Sequence, residues 1–184
     1  MNIVFWGAQE YRHVSVCTEV IATMIGILYP DLRIATDTEK RQQAKLVRLW
    51  IARDGMAFDR RMFGKADLVV VCLPQDARCV ARFMREYPVV LHKTFFLLYG
   101  LKGEGTIGVR ELAHTYRILP DNCGVFEATA DFYMAAKQGR SRAFVEKEFK
   151  NPGSLRNEQL TEQLMWMTER MLRQLETNSE QINS

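Results

Sequence analysis

The stretch Asn2-Ile3-Val4-Phe5-Trp6-Gly7 is a short apolar run that predicts a buried strand. The apolar segment from Val14 to Leu28 predicts the first helix. Between them, Ala8 to His13 lies where α/β proteins hold nucleotide phosphates, after the first strand and before the first helix. Such a loop is normally rich in glycine and carries a lysine followed by Ser or Thr. Here the loop reads Ala-Gln-Glu-Tyr-Arg-His. Its position is that of a phosphate site, but it lacks the glycines and the lysine that bind phosphate.

The length and composition fit one domain with a sizeable core. The chain has 184 residues, of which 47% are hydrophobic, and a net charge of +3. This weakly basic balance neither demands nor excludes nucleic acid. The N-terminus lacks the positively charged start of a signal peptide, and no apolar stretch approaches the roughly 18 residues that span a bilayer. We therefore expect a cytoplasmic protein without a membrane partner.

The cysteines and histidines give no sign of a metal or catalytic site. No Cys-x-x-Cys pair occurs, so we expect buried, reduced thiols instead of a zinc cluster. The histidines are dispersed, and none has the acidic neighbour that would mark a general base. We predict no catalytic residue and no metal ligand among these side chains, which are Cys17, Cys72, Cys79, Cys123, His13, His92 and His114.

The strongest strand signal lies in the middle of the chain. Asp67-Leu68-Val69-Val70-Val71-Cys72-Leu73 is continuously apolar after its first residue, as in a strand covered on both faces. Asp76 can cap a helix that runs to about Tyr87. Thr94 to Tyr99 predicts a second buried strand, ended by Gly100. Strands that alternate with helices predict an α/β fold, with a mostly parallel sheet of about four to six strands flanked by helices.

The other segments predict shorter elements. Further strands are expected within Asp31 to Thr36, at Tyr116-Arg117-Ile118 and at Cys123 to Phe126. Further helices are expected at Asp37 to Arg53, Ile107 to Thr115, Ala130 to Lys137 and Arg142 to Phe149.

The turn Asn151-Pro152-Gly153-Ser154 divides the chain into a domain of residues 1–150 and a long helix at residues 155–177. The helix carries an apolar stripe, which Trp166 and Leu172 broaden. Two uses of the stripe remain open, since it can pack on the domain or mediate self-association in a homodimer. The polar tail after Asn178 is expected to fray. The stripe itself consists of Leu160, Leu164, Met167, Met171 and Leu175.

Four segments, taken in order, resemble the ParA/MinD-type P-loop ATPases, and most of all the divergent ParA-like proteins of Gram-positive mobile elements. The resemblance spans most of residues 1–148 and implies a P-loop NTPase-like fold and a role in plasmid partition. The segments are Ile3-Val4-Phe5-Trp6-Gly7, Ala66 to Gln75, Lys93 to Leu98, and Phe132-x-x-Ala135-x-x-x-Gly139-Arg140.

Measured against that family, the first loop is a degenerate Walker A loop. Glycines let backbone N–H groups approach phosphates, and the bulky Tyr11 and Val14 obstruct that approach. Glu10 adds negative charge where the phosphates would sit. A vestigial site would draw on a cation and on hydroxyl groups for magnesium. The residues left for it are Gly7, Arg12, Ser15 and Thr18.

The middle of the chain departs from the family as well. Only Asp31 to Lys65 fills the space where the family has a longer stretch with a magnesium-associated Asp. Asp59 is either a remnant of that Asp or a solvated helix end. Glu127-Ala128-Thr129 replaces the turn that flanks the base. We therefore expect a non-hydrolysing binding or regulatory protein without a cofactor. The alternative is an active ATPase that uses ATP and Mg²⁺ with an atypical loop.

Three arginines, Arg78, Arg82 and Arg85, recur on one face of the helix after Asp76. A basic face can hold the phosphate backbone of DNA without reading its sequence. The other interpretation is an ordinary solvated face. The partners predicted for the chain are therefore a protein or a second copy of itself, and non-specific DNA.

Overall fold

The computed structural model describes residues 1–7, 11–36, 46–51, 63–86, 93–100 and 106–183. Six strands form one sheet in the order β2-β3-β1-β4-β5-β6, and every neighbouring pair is parallel. The predicted α/β class is therefore confirmed. The strands are β1 (Asn2–Trp6), β2 (Arg33–Thr36), β3 (Leu46–Ile51), β4 (Leu68–Pro74), β5 (Thr94–Gly100) and β6 (Cys123–Glu127).

Helices flank this sheet, as the alternating pattern predicts. Those described are α1 (Tyr11–Leu28), α2 (Ala77–Glu86), α3 (Val109–Tyr116), α4 (Ala130–Lys137), α5 (Ser141–Lys150) and α6 (Leu155–Asn183). A short 3₁₀ turn, Pro120–Asn122, precedes β6. No helix in the described part of the chain is both long and apolar enough to cross a bilayer.

Each face of the sheet has its own apolar core, because successive side chains of a strand point to opposite faces. In β1, Ile3 and Phe5 join a core formed with α1, α4, α5 and α6. Val4 and Trp6 join a second core formed with α2 and α3. A strand covered on both faces has no polar side, and this accounts for the continuous apolar run of β4.

Helix α6 crosses the first face diagonally, and three side-chain amides tie it to strand ends. Gln163 Oε1 accepts a hydrogen bond from the Glu127 N–H at the carboxyl end of β6 (2.9 Å). Gln174 Nε2 donates to the carbonyl of Thr94 at the start of β5 (3.3 Å), and Asn178 Nδ2 donates to the carbonyl of Asp67 before β4 (3.1 Å). The helix therefore runs from the carboxyl edge of the sheet at β6 to its amino edge at β4.

Close contact between α6 and the sheet depends on a glycine in β6. A Cβ atom on Gly124 would lie 2.5 Å from Met167 Cγ and 3.1 Å from Phe95 Cζ. The apolar stripe of α6 is thus in direct contact with the strands, and its members are buried. These are Leu160, Leu164, Met167, Met171, Leu172 and Leu175.

Two sequence-based predictions about strands are wrong. Residues 46–51, predicted as part of a helix from Asp37 to Arg53, form β3. They pair with β1 on one side and β2 on the other and bury Val47 and Leu49, so pairing inside the sheet outweighs the helical appearance of the polar residues upstream. Residues 37–45 and 52–53 of that predicted helix lie outside the described residues.

The predicted strand at residues 116–118 is a helix end. Helix α3 extends to Tyr116, and Arg117 adopts the left-handed conformation (φ 56°, ψ 40°) that closes a helix. The N–H of Ile118 then donates to the carbonyl of Ala113 (3.0 Å). The main chain therefore turns here, and no strand forms.

Helix ends and one stripe residue also differ from the predictions. Helix α1 begins at Tyr11 instead of Val14. Helix α6 continues to Asn183, because Asn178 is buried and hydrogen-bonded to the sheet, so the tail does not fray at that point. Trp166 lies outside the buried stripe with 61% of its surface exposed.

Candidate ligand crevice at the carboxyl edge of the sheet

The topology places a crevice between the carboxyl ends of β1 and β4. The chain leaves β1 toward β2 on one side and leaves β4 toward β5 on the other. In open α/β sheets, ligands bind where neighbouring strands connect in opposite directions. Gly7 follows β1 and Gln75 follows β4, so these two residues lie at the candidate site.

Packing alone requires glycine at position 7. A Cβ atom there would lie 2.7 Å from the carbonyl oxygen of Cys72 and 2.9 Å from Val14 Cγ2. The first of these neighbours is backbone in the middle of the sheet and has no room to move. Gly7 therefore allows β1, β4 and α1 to meet.

A methyl group of Val14 lies beside Gly7. Val14 lies in the first turns of α1, is 1% exposed and belongs to the apolar core with Cys17. A nucleotide site needs polar groups close to this glycine, because an ammonium and a hydroxyl must reach the phosphates and the metal. Val14 instead presents a methyl group beside Gly7.

The structure places the other predicted phosphate-site residues along α1. Thr18 is buried, and its hydroxyl donates to the Val14 carbonyl (2.8 Å), a bond within the helix. Ser15 is half-buried on the preceding turn. The backbone of Arg12 belongs to the start of α1, and its side chain lies outside the described residues, as do residues 8–10.

Gln75 is a candidate site residue that was not predicted from the sequence. Its side chain is 8% exposed, and its N–H donates to the carbonyl of Tyr99 (2.8 Å), which joins the ends of β4 and β5. Its Oε1 atom is buried without a hydrogen-bond partner. A buried unpaired amide oxygen costs about 1–3 kcal/mol, so it marks a position where a ligand or water donor is stabilising. The polar residue directly after the apolar β4 run is the signal that points to it.

The buried thiols of the sheet behave as small apolar groups. Burial raises the pKa of the Cys72 thiol well above its ordinary value, and a hydrogen bond with Cys17 adds to the shift. Burial likewise raises the pKa of Cys123 to about 12. Protonated thiols are poor nucleophiles and poor metal ligands. No group of three metal-ligating side chains occurs within the described residues.

Helix α2 begins immediately after Gln75 and carries the three predicted arginines. Asp76 Oδ1 accepts from the Cys79 N–H (2.8 Å), which confirms the predicted cap and lowers the pKa of Asp76. Arg78, Arg82 and Arg85 are all exposed, but Arg82 Nε lies 2.9 Å from Glu86 Oε1. The face is therefore basic, and Glu86 offsets part of its charge.

Comparison with solved structures identifies the fold. A ParA family ATPase from Chlorobium tepidum TLS matches with a TM-score of 0.59 and 10% identity, over 91% of this chain and 98% of that one. The MinD cell division protein of Aquifex aeolicus matches with a TM-score of 0.62 and 8% identity, over 94% and 97% of the two chains. MinD in the MinC:MinD complex of Aquifex aeolicus gives a TM-score of 0.57 and 9% identity, over 94% and 96%.

These likenesses show a ParA/MinD-type P-loop fold, as the resemblance of the four segments implies. No protein-family model matches the chain, and a comparison with curated sequences finds no match.

Proposed function

We propose that this chain is a ParA/MinD-like protein that does not hydrolyse ATP and acts in the cytoplasm as a binding or regulatory component of plasmid or mobile-element partitioning. The observation that carries the proposal is the packing of Val14 against Gly7, with Cys72 below. This contact supports the proposal because phosphoryl transfer uses a cation and a hydroxyl close to the first glycine, and Val14 brings a methyl group there instead.

The chemistry of phosphoryl transfer explains why this packing matters. The transferred phosphoryl group is stabilised almost entirely by positioned charges, normally a lysine and a magnesium ion held by a hydroxyl and a carboxylate. In α1, the Thr18 hydroxyl is already bonded to the Val14 carbonyl. Ser15 is then the one hydroxyl among the predicted site residues that has no such intrahelical bond in the described structure, and a single hydroxyl does not supply this charge.

Two features of the crevice are consistent with a binding role. The switch between β1 and β4 is present, and Gln75 offers a buried acceptor beside it. The solved MinC:MinD complex shows that a protein of this fold assembles with another protein. We extend this by proposal to the present chain, whose partner would be a protein or a second copy.

Phosphate release and thermal unfolding, measured with Mg-ATP, test the proposal. A site with 100-fold saturation would add about 2.7 kcal/mol of stability, a rise in midpoint of roughly 5–11 °C for a chain of this size. We expect no rise at millimolar Mg-ATP and no phosphate release above background. Release that disappears in Ser15→Ala, with the fold intact by circular dichroism, would establish the active ATPase instead.

The partitioning role has a separate readout in the host cell. Deleting the gene is expected to raise the loss rate of the plasmid or mobile element that carries it. Re-expression of the wild-type chain should restore retention, and so should Ser15→Ala, because hydrolysis is not used. Unchanged retention in the deletion strain would refute the maintenance role while leaving the absence of hydrolysis standing.

A further inference from the structure

The segment from Lys137 to Arg156 is one of the basic segments of the chain. It has six basic residues and two carboxylates, a net charge of +4, whereas the whole chain carries +3. Both carboxylates are occupied, since Glu146 pairs with Arg142 and Glu148 pairs with Lys147. The exposed basic residues are Lys137, Arg140, Arg142, Lys147, Lys150 and Arg156.

Two cations without a carboxylate partner among the described residues lie close to the turn between α5 and α6. Lys150 ends α5 and Arg156 is the second residue of α6, and neither has a carboxylate partner in the described part of the chain. Two large apolar side chains are exposed beside them, Phe149 at 36% and Leu155 at 69%. We name these four residues, Phe149, Lys150, Leu155 and Arg156, the basic corner.

The turn that carries the basic corner is held in place by a buried carboxylate. Glu148 is 1% exposed, and its Oε2 accepts from the Gly153 N–H (2.5 Å) and from Asn157 Nδ2 (3.1 Å). Ser154 Oγ accepts from the Asn157 N–H (3.2 Å) and caps α6. A fixed surface loses little conformational entropy when it binds, which favours affinity.

The α6 residues of the basic corner lie before the contact of that helix with β6. Gln163 meets the carboxyl end of β6, and Leu155 lies eight residues earlier on the same helix. At 1.5 Å per residue, the corner stands about 12 Å along the helix from that contact. The exposed Leu155 is therefore separated along α6 from the contact with β6.

We infer that the basic corner is the docking surface for an acidic segment of a protein partner that also carries an apolar side chain. Such a segment would pair its carboxylates with Lys150 and Arg156 and would cover Phe149 and Leu155. Apolar anchors surrounded by charge pairs are the usual arrangement of a binding hot spot. The inference rests on the proposed role as a partner-binding protein, but it uses a surface separate from the crevice.

A peptide fits this surface better than a uniform polyanion. Glu158 is exposed in the first turn of α6, next to the corner, and Glu146 is close to it on α5. DNA or an anionic bilayer would bring negative charge against these glutamates as well as against the cations. A folded or peptide partner can place each carboxylate separately, which is how charge patterns give specificity.

Titration of the ¹⁵N-labelled full chain with the synthetic peptide Glu-Glu-Leu-Glu-Glu-Phe-Glu tests this inference. Shift changes are expected to cluster at residues 147–157 and to weaken with added salt. The double variant Lys150→Glu/Arg156→Glu should bind the peptide at least tenfold more weakly, and Leu155→Ala should also weaken binding. The matched control is Arg78→Glu/Arg85→Glu on α2, which makes the same charge change elsewhere and should bind as the wild type does.

Reversing the charges of both the peptide and the corner distinguishes a direct contact from damage to the fold. The peptide with lysine in place of every glutamate should bind the double variant and not the wild-type chain. Two outcomes overturn the inference: shift changes outside residues 147–157, or binding that the double variant retains. A third is tighter binding to duplex DNA or to phosphatidylglycerol vesicles that the double variant abolishes, since the occupant would then be of another class. Phosphate release is measured separately and bears only on the proposed function.

Discussion

Replacing Glu148 is the perturbation whose size follows most directly from the structure. Its carboxylate accepts hydrogen bonds from Gly153, Asn157 and Lys147 while it is 1% exposed. Hydrogen bonds to a charged group contribute about 1.5–3 kcal/mol each, and a buried donor left without a partner costs about 1–3 kcal/mol. Gly153 and Lys147 reach solvent once the carboxylate is removed, so the loss falls mainly on Asn157. We expect Glu148→Ala to cost about 3 kcal/mol.

Glu148→Gln separates charge from shape. The amide can still accept one of these hydrogen bonds, so we expect a loss of about 1–2 kcal/mol. For a chain of this size, 1 kcal/mol corresponds to roughly 2–4 °C in the unfolding midpoint. The midpoint should therefore fall by about 6–12 °C for the alanine variant and by less for the glutamine variant. Glu146→Gln is the control, because it changes an exposed pair on the same helix and should leave the midpoint unchanged.

The pH dependence gives a second measurement of the same contacts. Burial by itself would raise the pKa of Glu148, but the hydrogen bonds from Gly153, Lys147 and Asn157 outweigh it and hold the pKa below its ordinary value of 4.5. A lowered pKa means that the carboxylate stabilises the fold above pH 4.5 and that this stability is lost as pH falls through the folded-state pKa. Urea unfolding of the wild type and of Glu148→Gln should thus converge in acid. Equal stability of the two proteins at pH 7 would refute the reasoning.

Four further variants, three single and one double, test positions elsewhere in the chain. Gly7→Ala should destabilise the fold by about 3 kcal/mol, because the new Cβ would lie 2.7 Å from a backbone oxygen. Gly124→Ala should cost about 1–3 kcal/mol, because the atoms closest to its Cβ belong to a methionine side chain, which can move. Urea unfolding measures both changes. Gly26 is a helical glycine whose added Cβ would meet nothing within 4 Å, so Gly26→Ala should stabilise the fold by about 0.5–1 kcal/mol in the same assay. It is the control for the general effect of adding a methyl group. If α2 holds DNA, Arg78→Gln/Arg85→Gln should weaken duplex binding and reduce the slope of log K against log salt by about 2, whereas an unchanged slope would assign those arginines to a solvated surface.

The sequence is sufficient to predict the elements whose burial is unambiguous. Helix α4 has the predicted ends, Ala130 and Lys137, and β4 lies within one residue of its predicted run. Strand β3 was missed, because Leu46–Ile51 carries an arginine and becomes a strand only through pairing with β1 and β2. Local periodicity does not show which distant segments pair, so the residues close to position 48 do not by themselves predict a strand.

Some features of the candidate site can be predicted from the sequence, and others require the structure. The absence of the usual phosphate-binding residues after Gly7 can be seen in the sequence, because residue size and charge are local properties. Gln75 was missed as a site residue, since its importance depends on an unpaired oxygen and on its place at the switch between strands. The basic corner needed the structure as well, because only the exposure of Phe149 and Leu155 distinguishes it from an ordinary helix–turn–helix connection.

Gly7 shows why a retained glycine is weak support for a retained nucleotide site. In a working phosphate loop, glycines let backbone N–H groups approach the ligand. Here, contacts with the Cys72 carbonyl and the Val14 methyl group already forbid any side chain at this position. Selection for packing alone would keep Gly7 after nucleotide binding had ended, and it would exert no such pressure on residues 8–13. The glycine at position 7, followed by Ala-Gln-Glu-Tyr-Arg-His, is therefore explained by packing without reference to a nucleotide.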